Sequence, residues 1–214
     1  VHGTVGAGLA LAGAVLAGVA SGGAPPANET LDAKVKAFLE EHRGTWHDLN
    51  VPYADGKALF DLVVARGFTR GLEIGTSTGH STIWIAWAMS HTGGKLVTLE
   101  IDPERHATAV RNLEAVGLAP YVDARLGDAH ELVKELPGPW DFVFSDADKG
   151  WYTQYFKDVE EKLAPGACFT AHNVLDGFAG VEEFLDYVRT RPGFTTRIER
   201  SSRSGISVTC RVIH

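Results

Sequence analysis

The chain has 214 residues, 44% hydrophobic and 22% charged, which is enough to bury one sizeable core and tight for two domains. A formal net charge of -7 and scattered lysines and arginines exclude the basic stripe that nucleic-acid phosphates need, so a small molecule is the expected partner. The two cysteines, Cys168 and Cys210, lie in strand-like apolar runs and read as small buried thiols of a reducing compartment.

Residues 1–27 stand apart because of "GTVGAGLALAGAVLAGVASGGAPPA", an uncharged run of small and aliphatic residues that closes on a proline pair. Three readings stay open: a secretory signal, an anchor that would bring membrane contact, or a flexible extension. No lysine or arginine precedes the run, and residues 4–20 are short and glycine-rich for a span. The folded domain is placed at 28–214.

From Leu31 to His42 the apolar residues Leu31, Val35, Phe38 and Leu39 recur at helical spacing, with Thr30 as the expected cap. The stretch "RGTWHDLNVPYADG" reads as a loop, and "KALFDLVVARG" as a second amphipathic helix stopped by Gly67. Beyond it strands and helices alternate. The strands are "GLEIG", "KLVTLEI", "YVDARLG", "WDFVFSDA", "GACFTAHN", "FTTRIER" and "GISVTCRVI". The helices are Ser81 to His91, Pro103 to Val116, Ala129 to Glu135, Tyr152 to Leu163 and Val181 to Thr190. Strands apolar almost throughout and separated by helices predict an α/β fold, a mainly parallel sheet covered on both faces. Only "SSRSG" divides the last two strands, which predicts an antiparallel hairpin.

Ligands of such sheets bind beyond the carboxyl ends of the strands. At the first end, in "LEIGTSTGHST", stand Glu73, Gly75, Ser77, Gly79 and Ser81, with glycines for close backbone approach and a helix N-terminus suited to an anion. Glu100 closes the second strand about 20 residues further on, the separation at which a carboxylate reaches ribose hydroxyls. Asp128 and Ala129 follow the third strand, where Asp128 is equally an N-cap. The fourth delivers Asp146, Asp148 and Lys149 in "FVFSDADK", and the fifth His172 and Asn173 in "CFTAHNV".

The ordered set LEIGTSTGHST, LVTLEID, RLGDA, FSDADK and AHN resembles the S-adenosylmethionine-dependent O-methyltransferases of the catechol and caffeoyl-CoA type over residues 45–214. The resemblance implies a Rossmann-like seven-stranded sheet with a reversed last strand, and methyl transfer to a hydroxyl of a small, catechol-like or phenolic acceptor. It implies Gly75, Gly79 and Ser81 around the methionine part of the cofactor, with Glu73 orienting the turn or the ammonium. Glu100 falls on the ribose, and Asp128 and Ala129 near the adenine. Asp146 matches a metal carboxylate, Lys149 the general base and Asn173 an amide metal ligand.

His172 departs from the pattern, which has aspartate there, so the implied metal set becomes Asp146, His172 and Asn173. Imidazole is a poor magnesium ligand. Open outcomes are manganese, iron or zinc, a weak magnesium site, or no metal with His172 as an acid-base residue. A homodimer is the expected assembly. Because the methyl donor is made in the cytoplasm, the domain is expected on that side even with an anchor. Two other classes stand beside it. An NAD(P)-dependent oxidoreductase lacks its G-x-G-x-x-G here, and a non-catalytic S-adenosylmethionine or nucleotide binder would not need Asp146 and Lys149. Trp84 and Trp87 read as core, His80, His91, His106 and His130 as surface or capping residues, and Trp46, Tyr53, Trp151 and Tyr152 as acceptor contacts.

Overall fold

A computed structural model describes residues 1–3 and 29–213; the expectations for residues 4–28 lie outside them. Helices α1 (Glu29–Glu41) and α2 (Tyr53–Arg66) precede β1 (Arg70–Ile74), α3 (His80–Thr92), β2 (Lys95–Glu100), α4 (Pro103–Val116) and β3 (Val122–Leu126). Then come α5 (Ala129–Glu135), β4 (Trp140–Ser145), α6 (Tyr152–Glu160), β5 (Leu163–Ala171), α7 (Val181–Thr190), β6 (Phe194–Glu199) and β7 (Ile206–Arg211). No helix among the described residues is long and apolar enough to cross a membrane.

The strands form one sheet in the order β3-β2-β1-β4-β5-β7-β6. Strand β7 alone runs against its neighbours β5 and β6, as the short connection between the last two strands predicts. The direction of strand addition reverses between β1 and β4, where Ile74 pairs with Ser145, and such a switch point opens a crevice at the strand ends. Alternation within β4 shows how the two faces fill. Phe142 and Phe144 pack with Leu59, Val63, Ile85 and Met89 under α2 and α3, whereas Val143 packs with Tyr152, Phe156 and Phe184 under α6 and α7. Helix α3 is buried on all sides from His80 to Met89, so it carries no polar face. Trp84 and Trp87 are core residues within it.

Three expectations are corrected. Helix α2 starts at Tyr53 rather than Lys57, because Pro52 occupies its N-cap position with an extended backbone and its carbonyl accepts from the N–H groups of Asp55 and Gly56. A Cβ on Gly56 would overlap the Trp84 indole, so glycine lets this first turn lie directly on α3. Strand β5 starts at Leu163, which pairs with Trp140 across an irregular register, and α6 ends correspondingly early. Cys168 and Cys210 are joined in a disulfide rather than free. The β5–β7 register sets them directly opposite, with Cα atoms 4.1 Å apart, and no free thiol remains to argue for a reducing compartment.

Candidate active site

The turn after β1 is drawn tight by its neighbours. The N–H groups of Gly75 and Thr76 both donate to Leu99 O, and Ser77 N donates to Glu100 Oε2 at 2.7 Å. Glu100 also accepts from the N–H groups of Ile101 (3.0 Å) and Asp102 (2.9 Å), so one carboxylate ties the β1 turn to the end of β2. Gly75 has φ +101°, and a Cβ there would stand 2.9 Å from Ala147 N; its lack of a side chain admits the chain leaving β4. Glu73 lies behind the turn with no exposure. It accepts from the hydroxyls of Thr82 (2.5 Å) and Thr98 (2.6 Å), while its Oε1 has no partner. Burial, opposed by those hydroxyls and that of Ser81 and reinforced by the Asp146 charge, raises its carboxyl to about 7.

These strand ends border a cleft of about 280 Å³. Of the expected cofactor contacts, Gly75, Ser77, Glu100, Asp128, Ala129 and Asp146 line it, and Lys149 stands on the same wall. Glu73, Gly79 and Ser81 do not reach it. Glu73 and Ser81 face each other behind the turn, and a Cβ on Gly79 would stand 3.3 Å from Ala109 Cβ of α4. Asp128 caps α5 through His130 N at 2.9 Å while facing the cleft.

The cleft also has walls that periodicity does not signal. Leu49 projects at its mouth from the loop before α2, which is latched by a bidentate Asp48–Arg105 pair at 2.9 Å and by the Ser77 hydroxyl donating to Asp48 O. His130 lines the cleft with Tyr155 and packs its ring 4.5 Å from Trp151, so it is more than a capping residue. His80 is likewise neither a surface nor a capping residue. It is buried, its Nδ1–H donates to Val51 O at 2.8 Å, its Nε2 accepts from Trp84, and burial lowers it to about 4. Of the expected acceptor contacts, Trp46 stacks on His80, Tyr53 meets Trp84 edge-on and Tyr152 is fully buried with its hydroxyl on His172 O. Only Trp151 is exposed.

At the ends of β4 and β5, Asp146 Oδ1 accepts from Lys149 Nζ at 2.7 Å and lies 3.4 Å from His172 Nδ1. The other nitrogen of His172, Nε2, donates to Asp55 Oδ2 at 2.8 Å. Asp55 is the functional-looking residue that the sequence did not disclose, because the turn that carries it reads as loop. Burial by itself would lower the histidine, but hydrogen bonding to Asp146 and Asp55 and their charges raise it to about 9. Asp55 is held low against its own burial by His172, Ser201 and Ser202.

The implied metal set does not fit this arrangement. Lys149 occupies Asp146 Oδ1, His172 is flanked by carboxylates at both nitrogens, and Asn173 turns its amide to Asp176 Oδ2 at 2.7 Å. Among the described residues no group of three or more His, Cys, Asp or Glu could hold an ion. His172 itself is buried, with Nε2 donating to Asp55 Oδ2 and Nδ1 3.4 Å from Asp146 Oδ1.

A family model described as O-methyltransferase matches residues 27–189. A catechol O-methyltransferase of Niastella koreensis is 44% identical over 126 residues, 56% of this chain and 54% of that protein. The chain spans about half the length of the curated relatives it matches. The solved O-methyltransferase from Bacillus cereus in complex with SAH is 27% identical with a TM-score of 0.70, covering 87% of this chain and 92% of that one. The O-methyltransferase TomG from Streptomyces achromogenes, in complex with SAM, is 28% identical with a TM-score of 0.73, covering 84% and 89%. By its family match and the sheet that carries the cleft, the chain belongs to the O-methyltransferase family.

Proposed function

We propose that the chain transfers a methyl group from S-adenosylmethionine to a hydroxyl of a small aromatic acceptor, catechol-like or phenolic. The observation that carries this reading is one cleft at the switch point whose wall holds Glu100 from β2 and the Asp146–Lys149 pair from β4. Glu100, its carboxylate set by three backbone N–H groups, accepts from ribose hydroxyls. Asp128 and Ala129 border the adenine, and Gly75 forms the floor. The donor, when bound, supplies a methyl whose S–C bond breaks as the new O–C bond forms. Lys149 in its free-amine form takes the proton of the acceptor hydroxyl, and Asp146 O and Oδ1 hold its Nζ in place. Gly180 packs on Gly150, which brings two loops together, and Trp151, Leu175 and Phe178 are exposed.

Product analysis by mass spectrometry tests the reading. The chain, S-adenosylmethionine and a panel of catechols and phenols should give a monomethylated ether and S-adenosylhomocysteine. Lys149→Met should slow the reaction by about 10²- to 10⁴-fold, the usual worth of acid-base assistance. Lack of turnover on every member of the panel contradicts the reading.

A further inference from the structure

We infer that Asp55 is a positioning residue that holds His172 against Asp146, so that the imidazole ring stands where the family pattern implies a metal and the site works without one. The inference rests on the methyl-transfer reading only for its kinetic arm.

Asp55 has no exposure, and a buried carboxylate is costly unless its lone pairs are used. It accepts from His172 Nε2 at 2.8 Å and from the hydroxyls of Ser201 and Ser202, each at 2.5 Å. These donors come from the end of β5 and the β6–β7 connection, so the contact joins α2 to segments more than a hundred residues away in sequence. A carboxylate only accepts, which puts a proton on Nε2 and fixes which ring edge turns to Asp146. Among the described residues Nδ1 makes no hydrogen bond; Asp146 Oδ1 lies 3.4 Å from it with Lys149 Nζ on the same oxygen, Phe144 stands 6.3 Å from the ring, and the Tyr152 hydroxyl donates to the His172 carbonyl.

Charge balance follows from the same contacts. Asp55 and Asp146 enclose His172 and Lys149, two acids against two bases. An aspartate at 172 would gather three carboxylates and call for a cation, whereas the imidazole, with its Nε2 proton on Asp55, leaves two. A divalent ion would have to displace a ring proton or the Lys149 ammonium from Asp146.

The test uses the full chain, stripped with a chelator. Magnesium and manganese are titrated calorimetrically into wild type and His172→Asp, and imidazole nitrogen-15 spectra and kinetics are recorded for wild type and Asp55→Asn. Wild type should take up neither ion stoichiometrically, and His172→Asp should gain a site. Asp55→Asn should change the His172 ring signals and lower kcat at least about tenfold, with KM for the methyl donor unchanged. Should Asp55→Asn fail to fold, Ser202→Ala, which removes one donor to the same carboxylate, should shift the ring signals and kcat in the same direction. One equivalent of either ion bound by wild type, or turnover abolished by chelation and restored by the ion, overturns the inference. Ring signals and kcat unmoved by both variants also overturn it. A wild type that methylates no acceptor counts against the proposed function, while the ion titration and ring spectra still decide the role of Asp55.

Discussion

Glu73, His80 and His172 are all buried, yet their surroundings push them in different directions. Burial dominates for Glu73 and His80, which favours the neutral form of each, whereas the carboxylates on both sides of His172 overcome its burial. The pH dependence follows from the signs. His172 is raised from 6.5 to about 9, so its contribution to stability is complete below 6.5 and is lost as pH rises through 9. Glu73, raised from 4.5 to about 7, contributes fully below 4.5 and loses its contribution as pH rises through 7. His80, lowered to about 4, contributes above 6.5 and loses its contribution as pH falls through 4. Denaturant unfolding of wild type should therefore lose up to about 3 kcal/mol between pH 6.5 and 9.5 that His172→Gln does not lose over the same window. Parallel pH dependence of the two proteins would contradict the pairing of His172 with both carboxylates.

At the scale of elements, the sheet was legible because its central strands are apolar runs ending in a polar residue or glycine, and helices α4, α5 and α7 begin and end where capping and periodicity place them. The cleft followed from the same strand ends, which is why Gly75, Glu100, Asp128 and Asp146 were found on its wall. What escaped depends on packing between distant segments. Asp55 sits in a first helical turn that looks like loop until Gly56 is seen against Trp84, and its partner His172 is 117 residues away. The cysteine pairing required knowing that β7 inserts beside β5, which hairpin logic alone does not give. His80 looked like a cap because nothing in its neighbourhood in sequence announces Val51 and Trp46. The glycine turn yields a prediction at this scale. Gly75→Ala combines a left-handed backbone with a Cβ driven onto the chain leaving β4, and should destabilise by more than about 1 kcal/mol while weakening cofactor binding. An unchanged melting temperature would show that the β1 turn and the β4 end are not packed as described.

Over the whole molecule, the segments around His172 are also fastened by a disulfide. The disulfide joins β5, which ends just before His172, to β7, which follows the connection holding Ser201 and Ser202. It spans 42 residues of sequence, and removing it through Cys210→Ser should cost about 2–4 kcal/mol of unfolding free energy. Non-reducing peptide mapping of wild type should recover the two cysteines in one linked fragment; recovery as free thiols would contradict the pairing. The central claim is that the cleft at the strand ends is built around a ribose held by Glu100, and calorimetric titration of S-adenosylmethionine into wild type and Glu100→Ala tests it most directly. Wild type should bind one equivalent, and the variant should bind more weakly by about 1.5–3 kcal/mol, the range for a hydrogen bond to a charged group. Equal affinity in the two proteins, or no binding by wild type, would contradict it.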